Sequence, residues 1–447
     1  MDKIRHLIKC SIALAFILGI ASCARKDTRT TITFWAMGRE AEVVRALLPE
    51  FERMHPSVQV KLSQVPWTAA HEKLLTAYAA DHLPNLCQLG NTWMAEFHEL
   101  GALTPLDDRV SSSTSIAQSD YFPGIWQTNV LKTLELAPTV YGVPWYVDTR
   151  LIFYRKDLLK AAGFSHPPTR WGEWLRMMQA IQSQNLQTQT TQSQIAPPRY
   201  AILLPVNEFE QLLSFSLQQK DQLLVNDQAN FASPGYRKAL SFYAEIFARG
   251  YAPKMSETQI SNVWDEFFNG MFVFYVSGPW NIRELRNRAP AELVDAWGTA
   301  PLPGPDGLGV GIAGGTSLVL FESKRADDSL ARQHAAWQLV EFLSRPDIQA
   351  RFYLASGNLP PRRSSWATPT LINDRYATAF RDQLERVKPV PQLLEWERIA
   401  QLMRLSSERV VRADTPIDVA IAELQAEVNQ LLSKRRWVQA QRKARAQ

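Results

Sequence analysis

The sequence predicts an α/β protein of two lobes with a ligand cleft between them. Strand and helix patterns alternate through the first ninety residues, which argues for a layered α/β lobe with a largely parallel sheet. The stretch Tyr141–Leu159 passes from a Tyr-Gly-Val-Pro turn, through Trp145, Tyr146 and Asp148, into the apolar run Leu151-Ile152-Phe153-Tyr154, as a crossover between lobes would. The chain has 447 residues, 46% of them hydrophobic, enough for two globular domains.

The elements follow in order. Lys3, Arg5 and Lys9 form a basic leader start, Cys10–Ile20 is a short apolar core, and Ile20-Ala21-Ser22-Cys23 looks like a bacterial lipobox. Cys23 is then the acylated first residue of the mature chain, behind the leader 1–22 and ahead of a tether, 23–30. Only Cys87 is left, so no disulfide framework or cysteine metal site can form, and its place in a buried strand makes it a core residue.

The first strand is Thr31–Ala36. Gly38-Arg39-Glu40 turns into a helix with Val43, Val44, Leu47, Leu48 and Phe51 on one face. Val58, Val60 and Leu62 alternate as a second strand, a helix follows over Thr68–Ala80, and a third strand ends at Leu89. Asn91-Thr92-Trp93 comes next, at a carboxyl strand end where open α/β sheets bind ligands. Beyond the crossover, Gln182–Gln194 reads as a solvated Gln-rich loop. Met271–Val276 is a buried strand running into Ser277-Gly278-Pro279-Trp280.

Ala300–Gly304 is a second crossover, followed by Gly314, Gly315 and Thr316, whose small residues allow close backbone approach to a ligand. Ser344-Arg345-Pro346-Asp347 fits a capping box, opening a helix that Gly357 ends. Ile417, Ile421, Leu424, Val428 and Leu431 form an amphipathic closing helix. These signals divide the chain into a first lobe, 31–147 and 300–345, a second lobe, 148–299 and 346–433, and a basic tail, 434–447.

The formal charge of +5 falls to +3 without the leader, and the tail alone carries +6 with no acid. The body is therefore about −3, which gives no nucleic-acid footprint, and the tail reads as a solvated terminus. No nucleophile elbow, phosphate loop or zinc-binding His pattern is present, so no cofactor or metal is expected.

From Thr31 to Leu432 the order of ITFW, FERMHPSVQV, HLPNL, GALTPLDD, the YGVPWYVD crossover, PPTRWGEW, GPW, GNLP and VKPVPQLLEW resembles the extracellular solute-binding protein family 1 of ABC sugar importers, above all its maltose- and trehalose-binding lipoproteins. The resemblance implies the periplasmic-binding-protein fold and a monomer that is not an enzyme, held by a lipid anchor at a bacterial membrane. It implies a neutral sugar ligand, such as maltose or trehalose, and a permease with its ATPase as partner. It places Asp148 on sugar hydroxyls, Trp280 on a sugar ring, Glu40 as a charged contact and Trp396 as a cleft aromatic.

The residues themselves add Trp93 and Trp145 as aromatics at turns, with Asn91, Thr92, Arg39, Gly315 and Thr316 as polar or backbone contacts. Two rivals remain. Asp148 and Glu40 could form a glycosidase pair, and the same fold could bind glycerol phosphodiesters or polyamines.

Overall fold

Alternation in the first strand turns directly into layering. In β1, Thr30–Met37, Ile32, Phe34 and Ala36 are fully buried on one face, and Trp35 is half-buried on the other. The structure, a computed structural model, describes residues 28–132, 137–191, 200–260, 262–322 and 330–446. The leader and Cys23 lie outside the described residues.

α1, Gly38–Met54, buries Val43, Val44, Leu47, Leu48 and Phe51, the face its spacing predicts. β2 (Val58–Val65), α2 (Trp67–Ala79), β3 (Leu86–Gly90) and α3 (Met94–Glu99) complete the alternation. Asn85, in the turn before β3, accepts the Thr33 backbone N–H through its side chain at 2.9 Å and so ties that turn to β1. The chain returns as β4, Val143–Asp148, and begins β5, Leu151–Arg155, after only Thr149 and Arg150.

The second lobe is built from α4 (Trp171–Thr191), β6 (Tyr200–Leu203), α5 (Glu210–Leu217), α6 (Pro234–Ala248), β7 (Phe272–Ser277), α7 (Trp280–Arg288) and β8 (Trp297–Ala300). Then come β9 (Gly314–Leu320), α8 (Leu330–Leu343), α9 (Pro346–Ser356), α10 (Trp396–Arg412), α11 (Ile417–Leu431) and α12 (Ser433–Ala446).

Two sheets result. One runs β2-β1-β3-β9-β4, the other β8-β5-β7-β6. Helices cover both faces of each. In the first sheet Phe34 and Leu320 face a core shared with α1 and α8, while Cys87 and Leu89 face another with Leu74 and Phe97. In the second, Ile152 and Phe274 pack against Trp174 and Leu240, and Phe153 and Phe272 against Phe267 and Phe380. The adjacent strands β4 and β5 belong to different sheets, so Asp148–Arg150 spans the lobes. The return from β8 to β9 spans them again.

Five expectations are corrected. The first sheet is not largely parallel: β1 pairs β2 and β3 in parallel, but β9, returning from the other lobe, runs antiparallel to both β3 and β4. α9 belongs to the first lobe, because Ile348 and Phe352 join the core of Phe34 and Trp145. The third passage between lobes therefore comes after Gly357, not at residue 346. The predicted capping box does not form; Arg345 is the N-cap, and its guanidinium takes the Asp347 carboxylate at 2.8 Å. The Gln-rich stretch is helical as far as Thr191, within α4, and its remainder lies outside the described residues. The tail is a helix, and its Arg435 is held by three carboxylates.

Candidate functional site

The ends of these strands meet at a cavity of about 460 Å³ between the two sheets, within the ~300–1,000 Å³ of small-ligand sites. From the first lobe it is lined by Glu40 at the start of α1, Trp67 at the start of α2, Asn91, Thr92 and Trp93 beyond β3, Tyr146 of β4 and Gly315 and Thr316 of β9. The crossover supplies Asp148, Thr149 and Arg150. From the second lobe come Phe209, Glu210, Trp280 and Glu397.

The first-lobe wall is held rigid by hydrogen bonds. Gln88 accepts the Met37 backbone N–H at 2.8 Å and donates to the Tyr146 hydroxyl at 3.1 Å. The Ser317 hydroxyl donates to Asn91 Oδ1 at 2.9 Å, which leaves the buried Asn91 Nδ2 without a partner. The indoles of Trp67 and Trp93 lie 6.0 Å apart. Gly315 has φ of +121°, and a Cβ there would meet the Tyr146 carbonyl oxygen at 2.2 Å, so only glycine fits.

Four carboxylates line the cavity, and three are already engaged. Arg150 donates to Asp148 at 2.6 Å and to Glu210 at 3.1 Å, and reaches Glu208 at 3.3 Å. Its guanidinium also lies 4.8 Å from the Trp280 ring centroid. Glu40 accepts from Asn358 at 2.8 Å and from the Trp67 indole at 3.4 Å. Glu397 differs, because its Oε1 has no partner. Burial pushes the Glu397 carboxyl above its ordinary range, against the opposing pull of the Thr92 hydroxyl and His71. Burial likewise raises Glu210, with Arg150 pulling the other way.

Of the residues the sequence singles out, Glu40, Asn91, Thr92, Trp93, Asp148, Trp280, Gly315 and Thr316 share this cavity. Three do not line it. Trp145 is 1% exposed, packed 4.7 Å from Phe352, because successive strand residues point opposite ways and its neighbour Tyr146 takes the cavity side. Trp396 is also a core residue, beside Ile399 and Met403, and the next residue of α10, Glu397, faces the cavity instead. Arg39 is exposed and ties α1 to the Ala355 carbonyl of α9 at 3.2 Å.

Sequence reasoning missed Arg150, Glu210, Asn358 and Glu397. Arg150 stands two residues beyond Asp148 in the crossover, a signal that was available. The other three reach the cavity only through tertiary packing. Among the described residues no group of three His, Cys, Asp or Glu could hold a metal ion, and no helix is long and apolar enough to cross a membrane.

A family model described as bacterial extracellular solute-binding protein matches residues 46–379. The sugar-binding protein MalE from the phytopathogen Xanthomonas citri is 54% identical, covering 92% of this chain and 100% of its own, with a TM-score of 0.85. The maltotriose-binding protein of Pyrococcus abyssi is 23% identical over 360 residues, 79% of this chain and 71% of its own. An uncharacterized lipoprotein of Streptomyces antibioticus is 23% identical over 406 residues, 87% of this chain and 83% of its own.

Proposed function

The chain belongs to the bacterial extracellular solute-binding proteins, and from that membership we propose that its cleft binds a neutral oligosaccharide for delivery to an ABC permease. Members of the family bind solutes rather than transform them, so the glycosidase alternative falls: the chain is not an enzyme. The ligand we favour is a disaccharide such as maltose or trehalose. Support comes from the sugar-binding Xanthomonas citri relative and the maltotriose-binding protein of Pyrococcus abyssi.

One observation carries the reading. Trp67, Trp93, Trp280 and Tyr146 share a cavity with polar groups of both senses, among them the unpartnered Asn91 Nδ2 and Glu397 Oε1. Indole faces cover the apolar C–H surface of a pyranose, and unpaired donors and acceptors meet its hydroxyls. The charges oppose the rivals. A phosphodiester would need a free cation, yet Arg150 is already shared by three carboxylates. A polyamine would need several free carboxylates, yet Asp148 and Glu210 are paired with Arg150 and Glu40 accepts from Asn358.

Calorimetric titration with a panel of mono-, di- and trisaccharides tests this, with a disaccharide expected to bind best. Heat from spermidine or a glycerophosphodiester, with all sugars silent, would sink it. On this reading Glu40, Asn91, Thr92, Trp93, Asp148, Trp280, Gly315 and Thr316 contact the sugar, and the lobes close over it by bending at the crossovers. The anchor is an acyl chain on Cys23, in keeping with the lipoprotein relative. Metabolic labelling with a fatty-acid analogue should mark the wild type and not Cys23→Ser; equal labelling would exclude that cysteine.

A further inference from the structure

The last helix carries a surface that the cleft does not use. α12 holds Lys434, Arg435, Arg436, Arg442, Lys443 and Arg445 and no acidic residue, against a body of net charge about −3. Two of the six bases fasten the helix down. Arg435 pairs with Glu99, Asp227 and Glu395, and Arg436 donates to the backbone carbonyls of Asp227 and Asn429 at 3.1 and 2.9 Å.

Those anchors set which way the helix faces. Trp437, next in sequence, is 65% exposed, more than any other tryptophan among the described residues. Ala440, Gln441 and Ala444, also exposed, continue its strip over the following turns. At about 100° per residue, the exposed Lys434 falls beside that strip. The outer face thus presents an indole and a base on a helix that carries six bases and no acid.

An ordinary solvated helix looks different, and α10 supplies the contrast. There Arg404 and Arg412 both pair with Glu408 one turn away. α12 has no acid with which to do the same. An exposed indole flanked by Lys and Arg is the composition of a helix lying at a lipid–water interface, where the ring sits at headgroup level and the cations meet anionic lipid. A single-indole strip also offers no pocket for reading a particular acidic peptide, whereas a fluid anionic surface requires none.

We propose that the outer face of α12 binds an anionic phospholipid surface. It adds an electrostatic contact to whatever tether the chain carries, and it is independent of the ligand in the cleft.

The test uses the leaderless, unacylated chain 24–447, which keeps every described element, in sedimentation with vesicles. The probes are phosphatidylcholine alone and phosphatidylcholine mixed with phosphatidylglycerol. The chain should bind the mixed vesicles, leave the neutral ones in solution, and be released by high salt. Trp437→Ala should weaken that binding several-fold. Lys434→Gln with Lys443→Gln should weaken it by roughly fivefold per base, from about 1 kcal/mol for each Lys or Arg near such a surface. All these variants should keep the wild-type melting temperature and sugar affinity, so a failure here leaves the cleft reading untouched. The proposal is overturned if the chain ignores anionic vesicles, binds neutral ones equally, or binds them undiminished after these substitutions. It is equally overturned if polyglutamate is bound and anionic vesicles are not.

Discussion

Trp280 lines the cavity with the Arg150 guanidinium beside its ring, so it works both as wall and as cover for the ion-pair network. Trp280→Ala should weaken sugar binding by about 1–3 kcal/mol while the protein stays folded. Calorimetry and a melting curve check this; a lowered melting temperature with intact affinity would make Trp280 a packing residue only. Gly278→Ala should mimic the loss, because the added Cβ would come within 2.1 Å of the Trp280 ring and displace it. Glu397 gives a pH test. Its folded carboxyl is raised, so the native state favours the protonated form; that stabilisation is full below the ordinary value of 4.5 and is lost as pH rises through the folded value. Glu397→Gln should therefore raise the melting temperature at neutral pH, with the gain vanishing as pH falls below 4.5, and should weaken sugar binding by removing a charged acceptor. A gain that persists unchanged in acid would assign the effect to something other than burial of charge. Local motifs made Trp280, Asp148 and Glu40 legible, since a turn after a strand sets where its residues point. Trp145 and Trp396 were misread for the same physical reason as each other. One step along a strand reverses the side chain and one step along a helix turns it by about 100°, so the neighbours Tyr146 and Glu397 took the cavity instead.

At the scale of elements, periodicity was the reliable guide wherever a face is buried. α1 buries the residues its spacing singles out, α11 buries Ile421, Leu424 and Val428 with Ile417 and Leu431 partly covered, and the apolar run at Leu151 is a core strand. Which lobe an element joins was harder to read, because α9 is apolar enough for either core and only the packing of Ile348 and Phe352 with Phe34 and Trp145 decides it. Strand direction in the first sheet was hidden too, since β9 and β4 arrive from the crossovers and not from a neighbouring helix. The end of α9 tests this placement. Gly357 caps it at φ of +86°, and the next residue, Asn358, donates to Glu40 in the cavity. Gly357→Ala should cost about 1–2 kcal/mol, the penalty of a left-handed residue with a Cβ. Because Asn358 moves with the cap, sugar affinity should fall as well. Unchanged melting and unchanged binding together would show that the turn adapts freely.

At the scale of the molecule, the state described here has contacts that cross between the lobes away from the three chain passages. Glu397 of α10 stands beside Thr92, and Arg435 of α12 pairs with Glu99 on the first lobe while also holding Asp227 and Glu395 on the second. The tail predicted to be a solvated terminus is therefore a tie between lobes. Sequence could not reveal this, because a run of bases without acids names no partner, and the three carboxylates lie 40, 208 and 336 residues away. Arg435 is 18% exposed, so its pairs are shielded more than surface bridges, yet each still contributes only about 0.2–1 kcal/mol. Arg435→Ala removes the one group common to all three and should favour separated lobes. On the proposed closure of the lobes over sugar, apparent sugar affinity should drop by roughly fivefold, as expected when about 1 kcal/mol is taken from closure. Small-angle scattering of the unliganded variant should give a larger radius of gyration than wild type, and saturating sugar should restore it. Wild-type affinity should also decline with added salt and converge on that of the variant, because screening weakens the same pairs. If the two proteins scatter alike without sugar and differ equally at all salt concentrations, Arg435 holds α12 in place without biasing closure.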